Sequence, residues 1–310
     1  MDQITDTVLM ISPSQFGFND QTAESNSFQQ KGFGLAVEEI QKLALSEFNA
    51  FVNQLKQNDI EVKEYQDQIP CLSPDSIFPN NWFSTHSDGK LISYPMFAEN
   101  RRRERRKDIL HDLIKDYDFE HISLEHLENG KPPQILEGTG SMVLDRVNKI
   151  AFAVNSSRTS VSALKTFGEA ASYKTISFDA YASDGKPIYH TNVLMSIGEN
   201  FVAIGLENID PKQKSQIIDS LKNLKKEIIE LSPFQINHCF AGNILQLKNK
   251  DGDRLLIISQ SAYSSLSPMQ LHQFQKHHDR IIGISIPSIE LYGGGSVRCM
   301  MAEIFQKKTS

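Results

Sequence analysis

Residues 134–154, QILEGTGSMVLDRVNKIAFAV, read as two short strands, Gln134–Asp145 and Ile150–Val154, joined by a polar turn. Apolar residues at three- and four-residue spacing follow over Ser160–Ala171, the signature of a helix with one buried face, and a further strand candidate closes the stretch at Thr175–Phe178. The unit is therefore strand, turn, strand, helix, strand.

Working outward, the same unit recurs. It opens at Ile77 (IFPNNWFSTHSDGKLISYP), at His190 (HTNVLMSIGENFVAIGL) and at Phe240 (FAGNILQLKNKDGDRLLIIS), and the four openings lie 57, 56 and 50 residues apart. A first unit opens at VLMISPSQFGFND, residues 8–20, which makes five. Glycine-containing turns at Asp88-Gly89, Gly198-Glu199-Asn200 and Asp251-Gly252 supply the positive φ a hairpin needs. The remaining strand candidates are Thr7–Ser12, Ile60–Tyr65, Ile77–Thr85, Leu91–Tyr94, Thr191–Ile197, Phe201–Ile204, Ile244–Leu247, Arg254–Ser259 and Ile281–Ile284. Helical spacing marks Gly34–Gln57, Arg102–Asp116, Pro211–Glu230 and Pro268–Lys276 as well. Five similar ββαβ units close into a ring, a five-bladed pseudo-fivefold α/β propeller, and the residues leading each first strand converge near its axis. No Pro, Gly or Ser linker divides the chain, so residues 1–310 are read as a single domain.

Composition narrows the chemistry. A formal charge of −6 over 310 residues leaves no broad basic field for nucleic acid or an anionic membrane, so a small molecule is the expected partner. Three cysteines, Cys71, Cys239 and Cys299, make no disulfide framework and suggest a reducing cytoplasm. The amino-terminal MDQITDTVLMISPSQ lacks signal-peptide features, and no segment approaches the roughly 20 apolar residues of a membrane helix, so a soluble, cytoplasmic protein is expected.

Convergence on an axis makes the openings the informative places: Asn80 and Asn81, Glu137, His190 with Asn192, and a sixth opening, SIELYGGGSVRCMMAEIF, that carries Cys299. A thiolate to attack, an imidazole to move protons and a carboxylate to orient or bind are the parts of nucleophilic catalysis. Each also has a plainer reading. Cys299 beside Met300, Met301, Ile304 and Phe305 reads as a small buried hydrophobe. His190 reads as a strand-end histidine bonded to backbone, Asn80-Asn81-Trp82 as a turn, Trp82 as core, and Glu137 as a turn acid. Gly293-Gly294-Gly295 tips the balance toward function, because three glycines before a strand allow backbone to approach a ligand, and Arg298 favours a thiolate next to it.

IFPNNWFS, LEGTGSMVLD, SSRTS, HTNV and GGGSVRCM, in that order, resemble the guanidine-modifying superfamily, the penteins, which includes arginine deiminase, agmatine deiminase, dimethylarginine dimethylaminohydrolase and amidinotransferase. The resemblance spans Ile77 to the carboxyl end and agrees with five units. It is nearest the amidinotransferase-like, citrulline-utilisation hydrolases. It implies that Cys299 is the nucleophile, His190 the general acid/base and Glu137 the acid that bonds the substrate's terminal nitrogens. Arg158 is similar to the arginine that grips a substrate α-carboxylate, a task suited to its fork. Without that resemblance Arg158 is an exposed arginine at a helix start. One arginine of 101–106, with Arg101 chosen, is implied as a second carboxylate contact, while most of that run reads as a solvated helix face.

Two departures carry substrate information. Deiminases place aspartates where this chain has Asn81 and Asn192. Neutral amides add no negative charge and forfeit charge-assisted bonds to a guanidinium, which are roughly twice as strong as neutral ones. A ureido group, as in citrulline, fits them better. The expectation is a cofactor-free cysteine hydrolase of a linear C–N bond in citrulline, arginine or a methylarginine, with Asn81, Asn192, Arg158 and Arg101 binding the substrate. No metal site is expected, because His277-His278 and His238-Cys239 lack ligand spacing, and GGGS lacks the lysine of a phosphate-binding loop. The rivals are an amidinotransferase with an amine acceptor and a non-catalytic amino-acid-binding protein. A homodimer is left open.

Overall fold

A computed structural model describes residues 2–23, 26, 28–30, 34–68 and 73–306. Cys71 lies outside the described residues. The strand β1 (Thr7–Ser12) runs parallel to β2 (Glu61–Gln66). Next, β3 (Phe83–Thr85) and β4 (Lys90–Ser93) form an antiparallel pair, and β5 (Glu120–Ser123) adds parallel to β4. That pattern repeats in β6 (Met142–Asp145), β7 (Ile150–Val154) and β8 (Lys174–Phe178), and again in β9 (Met195–Ile197), β10 (Phe201–Ile204) and β11 (Glu227–Glu230). It recurs in β12 (Leu245–Lys248), β13 (Arg254–Ser259) and β14 (Arg280–Ile284).

The last strand, β15 (Ala302–Glu303), pairs antiparallel with β1, so the first sheet has the order β15-β1-β2 and the two ends of the chain close the ring. No sixth unit exists among the described residues. The segment read as a sixth opening supplies the missing first strand of the first sheet, which is how Cys299 comes to the axis.

Each sheet grades from buried to wet. The middle strands β1 and β10 are buried throughout, whereas the outer strands β2 and β5 alternate exposed and half-buried residues. This gradient explains two misreadings. Glu120–Ser123, EHIS, has no apolar pattern to betray a strand, and Glu227–Glu230, EIIE, extends the helical spacing of Pro211–Lys222 in sequence but forms β11. The helix stops because Lys225 turns back with φ +55°, two residues before β11. Asp59, Asp118 and Ser172 do the same two residues before β2, β5 and β8. Left-handed helix ends normally announce themselves with glycine, and here none does.

Three predicted strand starts are instead single turns of helix. Pro79–Asn81, Gly138–Ser141 and Thr191–Leu194 each coil once; the last two run directly into β6 and β9, and Trp82 alone separates the first from β3. One turn before a first strand lifts its side chains off the sheet and toward the axis. The run Arg101–Arg106 also departs from expectation: Arg101–Glu104 is a separate 3-10 turn and the helix begins at Lys107. Among the described residues, no helix is long and apolar enough to cross a membrane.

Candidate active site

The turn Gly138–Ser141 brings two other turns together. A β-carbon at Gly140 would stand 2.4 Å from Asn81 Nδ2 and 2.8 Å from His190 Cε1, so only glycine lets these side chains converge. Gly138, at φ +47°, takes a conformation that penalises side chains, and its α-carbon faces the Asn80 carbonyl where a β-carbon would lie at 2.4 Å. The sequence LEGTGS is thus a docking surface for PNN and HTN.

Glu137 and His190 form the central contact, with Oε2 2.8 Å from Nε2. Both are buried. The other carboxylate oxygen accepts the Phe97 backbone N–H at 3.0 Å. Arg158 Nη1 lies 3.5 Å and Arg101 Nη1 3.8 Å from Oε2. Burial pushes the Glu137 carboxyl up, but Arg158, the His190 hydrogen bond and Arg101 outweigh it and hold the group well below the usual carboxylate range. An ionised carboxylate only accepts, so the His190 proton sits on Nε2 and Nδ1 is the basic nitrogen.

Burial also disfavours the His190 imidazolium. Glu137 opposes this in part only, because its charge is shared with two guanidiniums that repel the ring, and the pKa comes down to about 4. The resting ring is neutral. Tyr189 packs against it with centroids 4.7 Å apart, lies 4.9 Å under the Arg158 guanidinium and donates its hydroxyl to the Gly294 carbonyl at 2.6 Å.

Arg101 is the arginine of its run that reaches the site. Burial works against its charge, and Glu104, Asp75 and Glu137 more than offset it. Nε and Nη2 donate to the two oxygens of Glu104, both at 2.9 Å, and Nη1 donates to Asn81 Oδ1 at 3.0 Å. The run is not a solvated face. Arg105 is forked onto Glu128 and Arg102 donates to the Met96 carbonyl, which leaves Arg103 exposed. Arg158 is likewise buried rather than an exposed helix start, and beside Glu137 it donates to the Thr22 carbonyl at 3.4 Å.

On the other wall Cys299 is 4% exposed and packs with Met300 and Met301 in the core. Its sulfur nevertheless receives two amide donors, Asn192 Nδ2 at 3.4 Å and Asn243 Nδ2 at 3.2 Å. Asn192 Oδ1 is buried and accepts nothing from the described residues. The glycine run also serves packing. Gly294, φ +62°, ends the helix Pro287–Gly293, and β-carbons at Gly293 and Gly295 would press into the ring of Phe78 at 2.9 and 2.8 Å.

Sequence reasoning missed Asn243, Asp75 and Glu104. Asn243 had a legible signal: it stands two residues before β12, as Asn81 stands two before β3. Trp82 is fully buried against Phe83, as a core residue should be.

A family model described as N,N dimethylarginine dimethylhydrolase, eukaryotic, matches residues 12–306. The chain belongs to this family. The dimethylarginine dimethylhydrolase match and the five sheets place it in the guanidino-modifying pentein superfamily. Among solved structures, the chain is similar to the N-terminal domain of ArgZ, an arginine dihydrolase from the ornithine-ammonia cycle in cyanobacteria, with a TM-score of 0.74 and 14% identity. That likeness covers 97% of this chain and 98% of the ArgZ domain, there bound to substrate. Another structure of the ArgZ domain is covalently bound to a reaction intermediate. A dimethylarginine dimethylaminohydrolase from Pseudomonas aeruginosa, complexed with citrulline, is similar at a TM-score of 0.67 and 15% identity over 97% of this chain and 100% of that one. No curated protein matches by sequence. The chain is a homologue of hydrolases that act on guanidino C–N bonds of arginine-like compounds.

Proposed function

We propose that the protein hydrolyses the ureido or guanidino group of an arginine-like amino acid through a covalent Cys299 intermediate, with citrulline as preferred substrate. The observation that carries this is Asn192: one end of its amide donates to Cys299 Sγ while the other is a buried acceptor awaiting an N–H. Citrulline's terminal amide supplies that N–H without bringing a positive charge. Glu137, the acid of the site, has both oxygens engaged and its charge shared by Arg158 and Arg101, so it has little left for a guanidinium.

In this reading the Cys299 thiolate attacks the ureido carbon, and collapse of the tetrahedral adduct expels the side-chain amine. His190, after taking up a proton from solvent on Nδ1, is a strong acid because burial disfavours its charge, and it protonates the leaving amine. The S-carbamoyl intermediate is attacked by water, whose proton returns to His190, and the C–S bond breaks to restore the thiolate. Carbamate then decomposes to ammonia and carbon dioxide. Arg158 and Arg101 are the groups available for the α-carboxylate. An ArgZ domain covalently bound to a reaction intermediate and a Pseudomonas enzyme that binds citrulline are in keeping with this reading.

The test is Cys299→Ala assayed with citrulline, arginine, agmatine and methylated arginines. Ammonia release should fall by about 10⁴-fold or more with an unchanged melting curve, and retained turnover would refute the nucleophile.

A further inference from the structure

We infer that Asn243 is a catalytic residue, one of two amide donors that meet the Cys299 sulfur and stabilise the negative charge it carries as a nucleophile. The inference rests on the reading of Cys299 as nucleophile. His190, the usual partner for such a sulfur, is committed to Glu137 through Nε2 and is neutral, so no imidazolium is at hand to stabilise the anion.

A neutral ureido substrate also brings no charge to help ionise a thiol. The protein must supply that help, and Asn243 is placed to do so. Its Oδ1 accepts the Arg298 backbone N–H at 3.0 Å, which fixes the amide so that Nδ2 faces the sulfur. Nδ2 donates to Sγ at 3.2 Å and to the Asn192 carbonyl at 3.0 Å. With Asn192 Nδ2 at 3.4 Å, two donors meet one sulfur. A thiol sulfur is a weak acceptor and a thiolate a good one, so paired donors favour the anion.

A cavity that Asn192 helps to line adds to this. It is also lined by Arg146, Arg298 and Glu303, and both guanidiniums pair with the same Glu303 oxygen, at 3.2 and 2.7 Å. Two cations share one carboxylate there, and one of them, Arg298, is close enough to Cys299 to interact with its charge. Gly242 allows the approach: a β-carbon there would stand 2.3 Å from the Val193 carbonyl.

The decisive variant is Asn243→Asp. It keeps the oxygen that accepts from Arg298 and replaces the donor with a negative acceptor. The readout is alkylation of Cys299 by iodoacetamide as a function of pH, followed by peptide mass, together with kcat and KM. The pH of half-maximal alkylation should rise by about one unit or more, and kcat at neutral pH should fall by about 100-fold while KM changes little. Asn243→Ala, which removes the donor without adding charge, should give a smaller rise in the same direction. Alkylation midpoints in both variants equal to that of the unaltered protein would overturn the inference. Because alkylation needs no substrate, that result is distinct from a failure of the proposed reaction, which would appear as no turnover by the unaltered protein.

Discussion

The two walls of the site are built on opposite principles. One wall, Glu137, His190, Arg101 and Arg158, is charged, and its charges are satisfied by one another. The other, Cys299, Asn192 and Asn243, carries only neutral amides around a sulfur. The charged wall keeps Glu137 ionised, while burial, opposed only in part by Glu137, keeps His190 neutral. In the proposed reading the neutral wall selects the substrate, since an amide can meet a ureido group from either its N–H or its carbonyl side. Removing a group from the charged wall should therefore damage chemistry on every substrate, while changing Asn192 in the neutral wall should alter which substrate is accepted.

Apart from loss of the Cys299 sulfur itself, the largest effect belongs to the charged wall. His190→Ala should lower kcat by about 10³-fold on every substrate of the panel, and steady-state kinetics with two substrates checks it; a loss confined to one substrate would move His190 to the binding side. Next comes the neutral wall. Asn192→Asp should shift the citrulline-to-arginine ratio of kcat/KM toward arginine by about tenfold. Any effect on the sulfur cancels in that ratio, so an unchanged ratio would remove Asn192 from substrate selection. Between the walls, Gly140→Ala should cost about tenfold in kcat, because Asn81 and His190 must move apart, and a crystal structure of the variant with both side chains unmoved would contradict this.

The smallest effect is on stability. His190 and His278 titrate near 4 in the folded chain, lowered chiefly by burial from 6.5. A depressed folded pKa means stability is full above 6.5 and is lost as pH falls toward 4, on the order of 3 kcal/mol per group. Glu137, also depressed, adds to the loss at still lower pH. Melting temperature should thus decline from pH 6.5 downward, and His190→Gln should flatten part of the slope. A curve identical to that of the unaltered protein would place the titration elsewhere.

The periodic parts of the fold were legible because its inner hairpins carry apolar strands and glycine turns. Two outer strands were not, since β5 is mostly exposed, β11 continues a helical spacing, and the turns before them use Asp118 and Lys225 rather than glycine. Glu137, His190 and Asn192 stood out at unit openings. Asn243 stood at an equivalent offset but in FAGNILQ, with no charged or nucleophilic neighbour to draw notice. Arg101 could not be separated from Arg102 to Arg106 by sequence, because only a separate 3-10 turn, held by Glu104, points that one arginine inward.

Whether the neutral wall selects a ureido substrate is decided by kcat/KM of the unaltered protein for citrulline and for arginine under identical conditions. Citrulline should be preferred by about tenfold or more; a comparable preference for arginine would contradict the account.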